Sequence, residues 1–222
     1  MLGVTMGDAN GVGPEILVRA YAEQDIQDEF LVYGDRAVLE YAAERLGLSA
    51  SLAQEIPLME QGLLERPDIT PGELSKKVGA AAAEYVVAAT HDALAKKLDA
   101  IVTLPMNKEA TRASRPDFSG HTELIAEVCG NPPVTMMLAS DQLIVTHVST
   151  HVALRRAIEL ATTERILEVI RLTHEAVRRL RPHARIAVAG INPHAGEHGA
   201  FGTEDDAQIR PAVEQARSEG MD

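Results

Sequence analysis

The sequence contains a single cysteine, Cys129. An intrachain disulfide framework and a four-cysteine zinc site are both excluded, and a buried, unreactive thiol is the expectation. Basic residues are also scarce, 21 Lys and Arg against 33 Asp and Glu, giving a formal charge of −12. Nucleic-acid binding needs a clustered basic footprint, so this balance argues against such a partner. No apolar run reaches the length of a membrane span, and the N-terminus enters Gly-Val-Thr-Met with no basic flank or cleavage site. A cytoplasmic protein without a membrane partner is expected. There is no internal repeat, low-complexity tract or long linker to divide the 222 residues.

A hydrophobic content of 45% in a chain of this length is enough to build a substantial core. Short apolar runs alternate with longer helical patterns, which predicts a three-layer α/β protein with a largely parallel sheet. Strands are expected at Leu2–Met6, Phe30–Tyr33, Ala100–Leu104, Val134–Leu138, Leu143–Val148 and Ile186–Ala189. Pro14 opens a helix toward Tyr21, and Arg36 to Leu46 forms another that Gly47 ends. Leu74, Val78, Ala81, Tyr85 and Ala88 recur at helical spacing, predicting a long helix from Pro71 to about Lys97. Thr162 or Thr163 caps a helix through Leu180. Thr203 is the expected cap of a last helix, with an acid three residues on and Gly220 as terminator.

Five segments carry chemistry. Thr5 to Glu15 is a glycine-rich turn between strand and helix, with order Gly-x-x-x-Gly-x-Gly. It matches neither the dinucleotide fingerprint nor the Walker sequence, so a tight turn and an anion cradle are both open readings. Asn107 and Lys108 follow a strand end, where open α/β sheets bind ligands, although a solvent-exposed lysine is the simpler account. His121 and Thr122 lie beside Ser119 and Gly120 at a predicted helix start, suited either to a phosphate or to ordinary capping. His147 and His151 end an apolar strand; His194 and His198 lie in a Gly- and Pro-rich loop after another. Each histidine alone is more often a hydrogen-bonded side chain, but two such loops together can supply imidazoles to a divalent metal and leave coordination positions open.

In order, Thr-Met-Gly-Asp-Ala-Asn-Gly-Val-Gly-Pro-Glu, Val-Thr-Leu-Pro-Met-Asn-Lys, Gly-His-Thr-Glu and Asn-Pro-His-Ala-Gly-Glu resemble the 4-hydroxythreonine-4-phosphate dehydrogenase family. Met136–Ser140 and Thr150–Leu154 are similar to it as well, so the likeness spans nearly the whole chain. It implies a two-lobed fold akin to the isocitrate and isopropylmalate dehydrogenases, here one catalytic unit over residues 1–222 with interleaved lobes. It also implies a homodimer sharing its active site. His151 and His194 match the family's first two metal ligands, for zinc, magnesium or cobalt; His121 and Thr122 match its substrate-binding pair. Asn107 and Lys108 are further candidates for substrate contact, Asp8 and Glu197 for orienting loops or ligands. The implied reaction is NAD-dependent oxidation and decarboxylation of 4-phosphooxy-L-threonine in pyridoxal phosphate biosynthesis. Relatives acting on 4-phosphothreonate or 4-phosphoerythronate offer an alternative substrate. Two departures stand out: Gly-Asp-Ala-Asn-Gly where Gly-Asp-Pro-Ala-Gly is usual, and Thr-Leu-Pro where Thr-Gly-Pro is usual. Members of the family continue past the position of Asp222 into a segment with a His-Asp-Gln-Gly motif, which supplies a third metal ligand and much of the NAD site. The chain is therefore expected to be a fragment or a truncated form, with a non-catalytic remnant as one possible reading.

Overall fold

The computed structural model describes residues 1–222, which form two compact units, Met1–Pro132 and Pro133–Asp222. In the first, strands β1 (Leu2–Thr5), β2 (Phe30–Gly34), β3 (Leu58–Glu60) and β4 (Ala100–Thr103) make an all-parallel sheet ordered β3-β2-β1-β4. Leu2 of β1 lies in register with Phe30 on one side and Ala100 on the other. Parallel neighbours require crossovers. These are α1 (Gly13–Ala22) between β1 and β2, α2 (Arg36–Arg45) with α3 (Ala50–Glu55) before β3, and α4 (Lys76–Leu94) before β4. After β4 come α5 (Lys108–Arg112) and α6 (His121–Val128).

Phe30 and Tyr33 are three residues apart on β2 and so point to opposite faces of the sheet. Phe30 meets the edge of Tyr21 on α1, ring centroids 6.1 Å apart. Tyr33 donates its hydroxyl to Asp92 on α4 at 2.8 Å. Helices thus cover both faces, the three layers that the alternation of patterns predicts. Gly34 has no Cβ because the sulfur of Met6 occupies that space; a Cβ there would lie 2.5 Å from it.

The turn from β2 into α2 buries Asp35 completely. Its carboxylate occupies the N-cap position without capping α2. It accepts instead from the N–H groups of Leu63 (3.0 Å) and Leu64 (2.9 Å) and from the Tyr85 hydroxyl of α4. The helix α4 starts at Lys76, with Ser75 as N-cap, rather than at Pro71. The residues before it are held as a turn by Asn10, which bonds Thr70 N–H (2.8 Å), the Thr70 hydroxyl and the Glu73 carbonyl (3.0 Å). Leu74 consequently stands 56% exposed, outside the buried stripe. In the first turn of α4, Gly79 lets α5 approach, since a Cβ there would meet the Ala110 carbonyl at 2.3 Å.

In the second unit, β5 (Met137–Ala139) and β6 (Ile144–Thr146) pair antiparallel with Leu138 opposite Val145. Both are shorter than the sequence suggests; next to them the His147 N–H donates to the Met136 carbonyl (3.2 Å) and the Thr135 hydroxyl to the His147 carbonyl (2.6 Å). Helices α7 (Leu154–Leu160), α8 (Thr163–Leu180) and α9 (Arg210–Ser218) complete the unit. Its core joins Ala161, Ile166, Leu167 and Ile170 to Ala212 and Ala216. Thr162 caps α8 by accepting from Arg165 N–H at 3.2 Å. The strand expected at Ile186–Ala189 is absent: no neighbouring strand pairs with it, and the Ile186 N–H bonds the Asp222 carbonyl (2.9 Å). The last helical run begins where expected: it starts at Glu204, and the Thr203 carbonyl accepts from the Ala207 N–H at 2.8 Å. Its first part, Asp205–Ile209, is π-helical and leads into α9; the capping box is not closed, as Asp205 bonds the Ile191–Asn192 segment and Asp206 pairs with Arg210. Gly47 and Gly220 do end their helices, at φ +67° and +85°.

Burial and the Asp35 carboxylate hold the Tyr85 hydroxyl far above its ordinary range, so it remains a donor. Tyr85→Phe removes one donor from a buried carboxylate and should cost about 1–3 kcal/mol of stability, read from the shift of the urea midpoint at unchanged slope.

Candidate functional site

The glycine-rich turn after β1 is closed by the protein's own backbone. Gly7 has φ +73°, and a Cβ there would sit 2.3 Å from the Pro105 carbonyl oxygen; the Asp8 N–H donates to that same oxygen at 2.9 Å. A Cβ on Gly13 would strike the Met6 carbonyl at 2.5 Å. These two glycines serve internal close approach and leave no cradle at those points for a nucleotide diphosphate. Asp8 is buried and accepts from Asn10 N–H at 2.8 Å. Burial raises its carboxyl above the usual range, against the opposing pull of the Asn10, Asn107 and Gly11 N–H groups. Its role is to order the turn.

Asn107 and Lys108 lie at the carboxyl end of β4, as expected, and both are exposed. The Asn107 side chain caps α5, accepting from Glu109 N–H (3.0 Å) and Ala110 N–H (3.1 Å). Its carbonyl oxygen is therefore committed to the fold. Gly120 is the N-cap of α6 and contributes no side-chain cap. The first N–H groups of that helix are left to other partners. A Cβ on Gly120 would lie 3.9 Å from the Lys108 Nζ, so the ammonium stands close to the start of α6. His121 is half-buried, and its Nε2 is one of only two buried side-chain polar atoms without a hydrogen-bond partner, the other being Thr5 Oγ1. Burial foremost, then the Lys108 charge, lowers the His121 pKa below the ordinary histidine value, while the Leu104 carbonyl pulls the other way. Thr122 is exposed in the first turn of α6. The structure thus brings Lys108, His121 and Thr122 to one end of one helix.

In the second unit, His151 and His194 are both exposed, and both have left-handed backbones, φ +57° and +55°. Around His194 the strain is continuous: His194, Ala195, Gly196, Glu197 and His198 all lie at positive φ. Four of these are not glycine, and each costs about 1–2 kcal/mol in that region. The compensation comes from Asp205. Its carboxylate accepts from Ile191 N–H (2.9 Å), Asn192 N–H (3.1 Å) and the Asn192 amide (3.0 Å). Hydrogen bonds to a charged group contribute about 1.5–3 kcal/mol each, the same order as the loop's cost. Burial alone would raise the Asp205 carboxyl, but these donors outweigh it and hold it low. Glu197 is exposed. No three His, Cys, Asp or Glu side chains converge anywhere in the chain as they would around a metal ion.

The family model described as "Pyridoxal phosphate biosynthetic protein PdxA" matches residues 26–222. The chain belongs to the PdxA family. Among its relatives, a D-threonate 4-phosphate dehydrogenase of Cupriavidus necator is 40% identical over 240 residues, covering all of this chain and 71% of that protein. A 4-hydroxythreonine-4-phosphate dehydrogenase of Geobacter metallireducens is also 40% identical, covering 99% of this chain and 69% of its own length. A crystal structure of 4-hydroxythreonine-4-phosphate dehydrogenase from Klebsiella pneumoniae superposes with a TM-score of 0.90 at 33% identity, over all of this chain and 73% of that one. The PdxA-family α/β fold of this chain is therefore established. In addition, no helix is long and apolar enough to cross a membrane.

Two residues central to the site regions of this PdxA-family chain are not evident from its motifs. Asn10 stands in one of the departures from the usual pattern, and its role as a clamp on residues 70–73 depends on a partner sixty positions away. Asp205 reads locally as a helix-start acid, and nothing nearby in sequence points to the loop it holds.

The His121 imidazole should titrate below the ordinary histidine value in an NMR experiment, and Lys108→Ala should raise it. The sign for stability follows: with the folded pKa lowered, the unfolded chain takes up the proton first, so stability falls as pH drops below the unfolded value near 6.5. His121→Asn should flatten that part of the pH profile. Gly7→Ala should cost at least about 2 kcal/mol, because both its φ and its neighbouring oxygens oppose a methyl group, as a lowered thermal midpoint would show.

Proposed function

We propose that this PdxA-family chain belongs to a dehydrogenase that oxidises and decarboxylates a 4-phosphorylated acid of the threonine type. The observation that carries this reading is the start of α6, where the buried, unpartnered His121 Nε2, the Lys108 ammonium and the uncapped first turn lie together. Helix N-termini favour anions through their free N–H groups and dipole. A lysine adds a point charge for phosphate. His121, whose protonation burial disfavours, can share a hydrogen bond with a substrate hydroxyl or phosphate oxygen as the neutral imidazole. Thr122, exposed beside it, offers a hydroxyl to the same ligand. Asn107 acts by fixing α5, and hence Lys108, and retains only its amide N–H groups for contact.

In the proposed reaction a secondary alcohol loses its C–H electron pair as hydride and its hydroxyl proton to solvent, and the resulting β-keto acid releases carbon dioxide. NAD is the proposed hydride acceptor. The Gly7 and Gly13 contacts do not form its cradle. The phosphate serves as a remote handle whose binding energy orients the reacting carbon.

A divalent metal, proposed as zinc, magnesium or cobalt, would act as a Lewis acid on the alcohol oxygen when bound. His151 and His194 are its proposed ligands. Two imidazoles fall short of the three protein donors of a catalytic zinc site, and no three-donor cluster forms here. These residues alone do not complete the site.

Two substrates are supported by relatives of equal identity. D-threonate 4-phosphate is favoured by the Cupriavidus enzyme and 4-hydroxythreonine 4-phosphate by the Geobacter enzyme. The reading also includes a homodimer with a shared active site, to be checked by sedimentation.

The deciding experiment follows NADH formation and, in parallel, calorimetric binding of both acids to the 222-residue chain. Binding of one acid, weakened at least tenfold by Lys108→Ala or His121→Asn, is the expected result. If neither acid binds, the reading of the α6 site fails; phosphate release without NADH would point to hydrolysis instead.

A further inference from the structure

We infer that Asp205 is the positioning residue of the His194 loop, setting the backbone conformation that presents His194. This rests on the proposed role of His194 in the site. The Asp205 carboxylate is 5% exposed. Oδ1 takes the Ile191 N–H, while Oδ2 takes the Asn192 N–H and, at 3.0 Å, the Asn192 amide. The same amide reaches Glu204 Oε2 at 2.8 Å, so two consecutive acids fix one asparagine two residues before His194.

The approach is tight enough to constrain the glycines around it. A Cβ on Gly190 would lie 2.9 Å from Asp205 Oδ1, and one on Gly196 would lie 2.8 Å from the Gly202 carbonyl. The loop is closed again beyond His194 by Phe201 N–H to the Gly196 carbonyl (3.1 Å), and the Phe201 ring stands 6.0 Å from the His194 ring. Between these two attachments run the five left-handed residues. Non-glycine residues do not hold that conformation unaided. Asp205 lies outside the loop, and of the loop's attachments its bonds are the only ones made by a buried charge. An amide in its place has one acceptor oxygen instead of two, and its NH2 faces the Asn192 donors. Asp205→Asn therefore preserves shape while removing the charge and the acceptor of the Asn192 donors.

The test compares the 222-residue chain with Asp205→Asn and Asp205→Glu, using three measurements. Hydrogen exchange at the Asn192 amide should rise at least tenfold in Asp205→Asn while exchange in α8 and α9 is unchanged. The backbone carbon shifts of His194 and His198 should leave their left-handed values. Zn2+ affinity, titrated with the metal alone, should fall at least tenfold, and Asp205→Glu should restore part of each effect. Unchanged His194 shifts in Asp205→Asn would overturn the inference, as would exchange rising equally in α8 and α9, which marks a general loss of structure. Unchanged Zn2+ affinity with displaced His194 shifts would also overturn it, because the conformation would then not matter to the ligand. If the unsubstituted chain binds no Zn2+, the metal part of the proposed function fails, and the shifts and exchange alone decide the role of Asp205.

Discussion

A carboxylate taken out of water must be surrounded by donors, and this requirement organises both units. Asp35 is wholly buried, yet it collects two N–H groups and a phenol from segments far apart in the chain. Its bonds tie the β2–α2 turn to the loop beyond β3 and to the middle of α4. An isolated buried charge would be far too costly, so the sheet, loop and helix must assume their places together. Asp205 does the same for the Ile191–Gly202 loop, where the bound donors hold a backbone that its residues would otherwise avoid. Asp8, with weaker compensation, orders the turn after β1.

This arrangement separates rigidity from exposure. The buried acids immobilise turns at the ends of strands and helices, and the side chains with proposed ligand roles, Lys108, Thr122, His151 and His194, remain at the surface. His121 is intermediate: partly buried, with its pKa pushed below the ordinary histidine value by burial, and with one nitrogen unmatched. An unmet polar atom within otherwise satisfied surroundings is a reason to look for a ligand.

The sequence motifs locate the site regions well because strand-end loops are read from local patterns of β-branched runs, glycine and histidine. Positions of β1, β2 and β4, the cap at Thr162 and the terminators Gly47 and Gly220 are all local in origin, and each occurs near where the pattern puts it. The short β3 and α3 escape such a reading, since three or six residues carry too little periodicity. Ile186–Ala189 illustrates the opposite error: its residues suit a strand, but a strand exists only when another lies beside it.

The sequence by itself determined the α/β alternation, the family and the segments in which the candidate histidines and Lys108 occur, because these depend on residue type and spacing. Tertiary structure alone decided what the polar residues do. Asn10 became a clamp on residues 70–73, and Asp205 the anchor of a left-handed loop rather than a helix-start acid. The physical reason is that a hydrogen bond is defined by its partner, and these partners were brought together by folding across long stretches of chain.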